Sequence, residues 1–170
     1  PRWNKGWPRA GYHAPFRLDG LKDSKGDYLT DRLTDEALGF IERNKERPFF
    51  LYLSHFAVHD PIQGRPDLVE KYKKRASKIT GAEFGDEEMV WPRNDKTRKY
   101  RILQKHAVYG AMVEAMDLAV GKVLDKLQAL GLDDEVVVCF TSDNGGLSTS
   151  EGSPTANLPL RGGKGWLYEG

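Results

Sequence analysis

Two polar segments contain the residue types in this sequence that are best suited to chemistry, and each follows an apolar run. One reads Ser-His-Phe-Ala-Val-His-Asp-Pro and contains His55 and His59; the other reads Thr-Ser-Asp-Asn-Gly-Gly and contains Asp143 and Asn144. An imidazole can hold an anion or protonate a leaving group. In open α/β sheets ligands bind beyond the carboxyl ends of the strands, so the two segments predict a site at one edge of a sheet.

Asp143 and Asn144 are adjacent oxygen donors, and the two glycines after them permit sharp backbone angles. Donors of this kind suit a hard cation such as calcium or magnesium and not zinc. The same residues are also the commonest formers of ordinary turns. A cation site and a plain turn are therefore both open interpretations of this segment.

The remaining candidates are the two histidines and Lys164, which lies between two glycines. Little bulk competes for space near an ammonium group in such a loop, and an oxyanion site needs that access. Pro61 follows the Asp after His59 and favours an extended backbone in this segment. Taken alone, however, each of these side chains is more typical of an ordinary loop residue than of a site.

The elements predicted to position these residues form an α/β unit. The apolar runs at 49–53 and 136–140 are typical of strands buried on both faces of a parallel sheet. Between them, apolar residues recur at helical spacing over 108–127, and Gly131 predicts the end of that helix. Strand, long helix and strand together indicate a crossover unit. Cys139, inside the second run, is predicted to be a buried and inert thiol.

The other segments are less regular. Residues 1–27 show no periodicity and predict an irregular surface segment. A helix is predicted from near Thr30 to the residues before Pro48, with Thr30 or Thr34 as its N-cap. His106 is predicted to lie on a helix surface.

Residues 60–102 are predicted to be an insertion, because a connection of this length in a compact domain usually has a function of its own. A short helix is expected within it, from Asp67 to Arg75. Its aromatic side chains either line binding subsites or pack the insertion against the body of the domain; they are Tyr72, Phe84, Trp91 and Tyr100.

Composition narrows the classes of function. Lysine and arginine number 26 against 25 aspartates and glutamates, a net charge of +1, which argues against a nucleic-acid binder. The single cysteine cannot form an internal disulfide, and there is no cysteine cluster for zinc. No run reaches the roughly 18 apolar residues of a membrane span. Since the chain lacks an initiator Met and stops in a glycine-rich loop, we expect residues 1–170 to be one partial domain with both ends cut.

Five segments resemble the type I, formylglycine-dependent sulfatases of the alkaline phosphatase superfamily. In chain order they are residues 28–37, 47–53, 55–61, 141–146 and 160–170. Their order and spacing extend the resemblance over nearly the whole chain. It implies an α/β fold with a partial alkaline-phosphatase/sulfatase-like mixed sheet flanked by helices, of which this chain is the middle portion.

The resemblance also implies roles for the candidate residues. Asp143 and Asn144 correspond to two calcium ligands, and His59 to the histidine that contacts the sulfate ester near its leaving oxygen. Lys164 corresponds to the lysine that contacts a sulfate oxygen and helps to protonate the leaving group. His55, at the same strand end as His59, is a candidate for binding substrate.

The family's nucleophile is a formylglycine made in a Cys/Ser-x-Pro/Ala-x-Arg motif, and residues 1–170 contain no such motif. We therefore expect the isolated chain to be inactive. The parent protein is expected to hydrolyse sulfate esters of a small molecule or glycan, with carbohydrate favoured, in the periplasm or outside the cell. The sequence indicates no oligomeric state.

Three alternatives remain open at this point. One is a phosphoesterase or phosphonate hydrolase of the same superfamily, although paired transition metals would need more His and Asp ligands than the chain offers. Another is a non-catalytic protein that binds sulfated glycans through His59, Lys164 and neighbouring basic residues. The third is an α/β domain whose loops are only turns.

Overall fold

The described part of the chain contains three helices and one pair of short strands. The computed structural model describes residues 11–16, 18–22, 24–86, 99–149 and 152–170. In chain order the elements are α1 (Leu29–Asn44), α2 (Pro66–Ala76), β1 (Phe84–Asp86), β2 (Lys99–Arg101) and α3 (Ala107–Ala129). All three helices predicted from residue spacing are confirmed, and β1 and β2 are additional.

Helix α3 is the centre of the packing, since α1 and α2 both lie against it. Ala111, Met112, Ala115 and Ala119 are buried in α3 at helical spacing. Alanine side chains on this face let the neighbouring helices approach closely. Gly131 adopts a φ of 67°, the left-handed region that favours glycine, just beyond the end of α3 as predicted.

The helix starts differ from the sequence predictions. Helix α1 begins after Tyr28, which makes no side-chain cap hydrogen bond, whereas the predicted caps Thr30 and Thr34 lie buried inside the helix. Tertiary contacts take the place of a cap, because the amide of Leu29 donates to the carbonyl of Tyr12 at 2.8 Å. His106 is not a helix-surface residue: it is the N-cap of α3, and its Nδ1 accepts from the amide of Tyr109 at 3.1 Å.

The irregular segment before α1, predicted to lie on the surface, is only partly exposed in its described residues, and residues 1–10, 17 and 23 lie outside them. Tyr12 is 2% exposed and Phe16 is fully buried. Both side chains belong to a core cluster that also contains Tyr28, Leu68 and Met112. The segment has no hydrophobic period, so its burial depends on contacts between distant residues that spacing cannot indicate.

The predicted strands at 49–53 and 136–140 are wrong as assigned, since neither is paired with another strand in the described residues. A strand needs a neighbour to complete its hydrogen-bond ladder, and none lies beside these runs here. Phe50 is 85% exposed and Val137 is 90% exposed as a result. Cys139 is likewise exposed, which overturns its prediction as a buried thiol.

The strand pair β1–β2 and helix α2 occupy the segment predicted to be an insertion. Phe84 pairs with Arg101 and Asp86 with Lys99 in antiparallel register. Arg101 is 5% exposed, and its guanidinium donates to Glu83 at 3.0 Å and to the carbonyl of Ser153 at 2.5 Å. Three-residue strands in polar sequence carry too little pattern to be predicted.

Tyr72, on α2, packs against the core cluster, which favours packing over a subsite for that residue. Trp91 lies outside the described residues, and whether residues 60–102 form an insertion stays a prediction. Of the helices in the described ranges, none is both long and apolar enough to cross a membrane.

Candidate functional site

His59 and Lys164 are in contact although 105 residues separate them in sequence. Lys164 Nζ lies 3.3 Å from His59 Nε2. An ammonium has only donors, so Nε2 accepts and the ring carries its proton on Nδ1. His59 Nδ1 lies 3.2 Å from the carbonyl oxygen of Asp60, which can accept that proton's hydrogen bond. The contacts link Lys164 through the imidazole of His59 to the backbone carbonyl of Asp60.

A turn from Phe56 to His59 holds the imidazole, and the amide of His59 closes it by donating to the carbonyl of Phe56 at 2.9 Å. The hydroxyl of Tyr12 lies 2.5 Å from the Phe56 carbonyl oxygen and 3.0 Å from that of His59. Burial raises the pKa of the Tyr12 phenol above its ordinary value, so the group is a neutral donor.

Gln63, at the end of the same loop, is held by two tyrosines. Its side-chain Oε1 accepts from the amide of Tyr12 at 2.9 Å, and its carbonyl accepts from the hydroxyl of Tyr28 at 2.9 Å. Burial raises the pKa of Tyr28 to about 12, which keeps this phenol protonated. The histidine loop is therefore fixed to the irregular segment that precedes α1.

A second set of contacts joins the loop of Lys164 to the loop of Asp143 and Asn144. The amide of Lys164 donates to the carbonyl of Gly146 at 3.0 Å. Asn157 Nδ2 donates to the same carbonyl at 2.8 Å and to the carbonyl of Gly162 at 3.0 Å. The structure thus ties both predicted loops into one unit, on which Lys164 reaches His59.

Asp143 and Asn144 are exposed, and Asn144 Nδ2 donates to Asp143 Oδ2 at 2.7 Å. Their donor chemistry fits a calcium ion, because a carboxylate oxygen and an amide oxygen are both hard ligands. Rotation of the Asn144 amide by half a turn would exchange Nδ2 for Oδ1 on the side that faces Asp143. Calcium takes about six to eight oxygens, so these two side chains make only part of a shell. No group of three or more His, Cys, Asp or Glu suited to a metal occurs in the described ranges.

His55 is half-buried, and neither of its ring nitrogens has a hydrogen-bond partner among the described residues. Burial lowers the pKa of this imidazole, which favours the neutral form. The structure does not join His55 to the His59–Lys164 pair by a hydrogen bond. Its prediction as a substrate-binding residue remains a prediction.

Tyr12, Gln63 and Asn157 were missed by the sequence reasoning. Each acts through a backbone carbonyl or amide of another loop, and such contacts leave no mark in residue type or spacing. The chemistry-bearing side chains are visible in the sequence, whereas the residues that hold them are visible only in the fold.

Comparison with known proteins decides the family. The family model described as Sulfatase matches residues 3–170. The chain belongs to the sulfatase family. The resemblance noted in the sequence is therefore confirmed.

Sulfatases of different kinds share this stretch of chain. It is 37% identical over 166 residues to a sulfatase of Formosa agariphila, covering 92% of this chain and 25% of the relative. It is 33% identical over 144 residues to human steryl-sulfatase, covering 85% of this chain and 19% of that relative. The chain thus spans about a quarter or less of the length of these curated relatives.

A sulfatase-like fold is supported by a solved structure, that of Ps i-CgsB in complex with k-i-k-neocarrahexaose. The TM-score is 0.60 at 28% identity, with 89% of this chain and 28% of the other covered. This structural similarity confirms the predicted fold class, α/β of the sulfatase type.

Gly163 offers a stability prediction for the site. A Cβ there would meet the carbonyl oxygen of Gly146, Asn157 Nδ2 and Ser148 Oγ, so Gly163→Ala should destabilise the protein by roughly 1–3 kcal/mol. Gly121, in α3, is the control, because a Cβ there meets nothing within 4 Å. Gly121→Ala should stabilise by up to about 1 kcal/mol. Denaturant unfolding measures both, and equal effects of the two variants would contradict the packing described for Gly163.

Proposed function

We propose that the protein to which this chain belongs hydrolyses sulfate esters, with His59 and Lys164 acting at the sulfate group and its leaving oxygen. The observation that carries the proposal is the 3.3 Å contact between Lys164 Nζ and His59 Nε2. Two loops far apart in sequence meet there, at the residues that the family resemblance singles out. Family membership supports the same reaction class.

The charge of Lys164 suits a sulfate oxygen. As the S–O bond breaks, negative charge develops on the leaving oxygen, and a fixed ammonium stabilises it more in the transition state than in the ground state. Lys164 is half-buried and its amide is bonded to Gly146, so the side chain extends from a fixed backbone position. We assign Lys164 the binding of sulfate and a share in protonating the leaving oxygen.

His59 is placed to work with Lys164. Its Nε2 accepts from the ammonium, so of the two groups it is Lys164 that carries the proton a leaving oxygen beside them would receive. Transfer of that proton from Nζ to the leaving oxygen breaks one N–H bond and forms one O–H bond, while the imidazole holds the amine in place. The pair is proposed as a coupled acid at the leaving group.

Asp143 and Asn144 would hold a calcium ion as part of its ligand shell. A calcium ion bound there would supply positive charge to the sulfate oxygens. The loop contacts through Gly146 keep these two side chains on the same unit as Lys164. The formylglycine motif does not occur in residues 1–170, so the roles proposed for this chain concern the sulfate and the leaving group.

We propose a sulfated carbohydrate as the substrate class and a periplasmic or secreted location. The carbohydrate is supported by the solved relative, which was crystallised with the oligosaccharide k-i-k-neocarrahexaose. His55, whose buried ring nitrogens have no hydrogen-bond partner among the described residues, is proposed as a residue that helps to bind that substrate.

Matched esters test the function in the full-length protein. Sulfate release from 4-nitrophenyl sulfate and from a sulfated carrageenan oligosaccharide is expected, with little phosphate release from 4-nitrophenyl phosphate. Faster hydrolysis of the phosphate ester would instead indicate a phosphoesterase. Binding of the oligosaccharide by calorimetry without sulfate release would indicate a glycan-binding protein. Either result overturns the proposal.

A further inference from the structure

The hydroxyl of Tyr12 caps the turn that presents His59. It lies within hydrogen-bond distance of both carbonyl oxygens at the ends of that turn, at 2.5 Å from Phe56 and 3.0 Å from His59. The two residues are also joined by the amide-to-carbonyl hydrogen bond that closes the turn. Tyr12 is 2% exposed, so its hydroxyl has no bulk water as a substitute partner.

Tyr12 is itself held on three sides, which makes it a fixed point. Its amide donates to Gln63 Oε1 at 2.9 Å, and its carbonyl accepts from the amide of Leu29 at 2.8 Å. Its ring stacks on that of Tyr28 with centroids 5.9 Å apart. The start of α1, the core and the histidine turn thereby meet at one residue.

The contact between His59 and Lys164 depends on where this turn lies. His59 is exposed, and at 3.3 Å the contact between the ring and the ammonium is near the upper limit for a hydrogen bond. A shift of the turn by a few tenths of an ångström would break it. Loops that carry chemistry need such support, since a displacement of about 1 Å can lower a rate by 10²-fold.

We propose that Tyr12 is a positioning residue for His59, acting through its hydroxyl on the two turn carbonyls. This inference rests on the proposed function, because it assumes that the His59–Lys164 pair acts on a sulfate ester. The hydroxyl of Tyr12 bonds to the backbone carbonyl of His59, not to the imidazole or the ammonium, and carries no proton to them. Its effect is on the geometry of the turn.

Tyr12→Phe removes the hydroxyl and leaves the ring in the core. In the full-length protein we expect kcat for sulfate-ester hydrolysis to fall by about 10- to 100-fold, with KM changed little, since the lost interaction serves the transition state. Tyr109→Phe is the matched control: Tyr109 is 7% exposed, lies in α3, and interacts through its hydroxyl with Thr155. We expect its kcat to stay near that of the wild type.

A double-mutant cycle separates positioning from general destabilisation. In a His59→Ala background, Tyr12→Phe should lower kcat no further, because it acts only through the missing imidazole. If Tyr12→Phe lowered kcat as much in the His59→Ala background as in the wild type, Tyr12 would have only a structural role. An unchanged kcat in Tyr12→Phe itself would overturn the inference. If the wild type released no sulfate from any ester, it would be the proposed function that failed.

Crystal structures give a readout that does not depend on activity. The distance between His59 Nε2 and Lys164 Nζ should exceed hydrogen-bond range in Tyr12→Phe and stay near 3.3 Å in Tyr109→Phe. An unchanged distance in both variants would overturn the positioning role even if the enzyme proved inactive on every ester tried.

Discussion

Lys164→Ala in the full-length protein is expected to lower kcat for the hydrolysis of an alkyl sulfate by roughly 10²–10⁴-fold, the range found when a general acid or an electrostatic partner is removed. The ammonium contacts His59 Nε2 at 3.3 Å, so the variant loses both the charge beside the sulfate and the partner of the imidazole. Initial rates of sulfate release measure the effect. Lys122, an exposed lysine of α3, provides the control, and Lys122→Ala should leave kcat unchanged.

The leaving group separates the two roles of Lys164. An alkoxide needs a proton as it departs, whereas 4-nitrophenolate is stable without one, so a proton donor matters more for the alkyl ester. Lys164→Ala should therefore damage alkyl sulfate hydrolysis more than that of 4-nitrophenyl sulfate. Lys164→Arg keeps the positive charge but cannot release a proton. We expect it to restore part of the rate for the aryl ester and little for the alkyl ester; equal restoration would assign Lys164 to charge stabilisation alone.

His59 and Lys164 should behave as one unit in this experiment. If the pair is a coupled acid, His59→Ala and Lys164→Ala together should cost little more than the worse single variant, because residues that act as a unit are strongly non-additive. If the fold-losses in kcat of the two single variants multiplied in the double variant, each group would act at a separate oxygen. The shared contact at Nε2 favours the first outcome.

The helices were predictable because helix formation leaves a local signature. Buried residues of α3 recur every three to four positions, and Gly131 marks the end of the helix at a backbone angle that favours glycine. The start of α1 was not predictable by the same logic. It depends on a hydrogen bond from Leu29 to Tyr12, so the tertiary structure replaces a threonine cap.

The apolar runs at 49–53 and 136–140 are a case in which the local sequence pattern predicts strands that the structure does not contain. A continuous apolar run indicates that a segment is suited to burial in a sheet. The hydrogen bonds of a sheet, however, form between two strands, so one segment alone does not determine whether they form. Phe50 and Val137 are therefore exposed in a chain whose sequence predicts them to be buried. The exposure of Cys139 follows from the same cause.

Within the site, the side chains that carry the chemistry could be predicted from the sequence, whereas the residues that hold their loops in place could not. His59 and Lys164 could be selected by their chemistry and by the family resemblance, and the structure places them in contact. Nothing in the spacing of Tyr12 or Asn157 relates them to these loops. Both act on backbone carbonyls, which every residue possesses, so only the folded chain reveals which carbonyl each side chain meets.

Asp143→Ala is expected to abolish the response of the full-length protein to calcium. If Asp143 and Asn144 hold the ion, calcium at a hundred times its Kd should stabilise the wild type by about 2.7 kcal/mol. Thermal unfolding with calcium and with a chelator measures this difference. Asp134→Ala, at an exposed carboxylate nearby in sequence, should keep the full shift in Tm. A calcium shift that survives in Asp143→Ala would place the ion elsewhere.

Asp143→Asn distinguishes the cation site from a plain turn, the two interpretations that the residue types leave open. Asparagine forms turns as readily as aspartate, so a turn-only role predicts an unchanged Tm with and without calcium. A ligand role predicts an unchanged Tm in chelator and a reduced shift in calcium, because the amide keeps the oxygen but loses the charge that attracts the ion. The variant thus preserves everything the turn requires and removes only what the cation requires. The Asp143 carboxylate already accepts from Asn144 Nδ2, and an amide at position 143 can accept that hydrogen bond too. A loss confined to the calcium-bound protein can then come only from the missing charge.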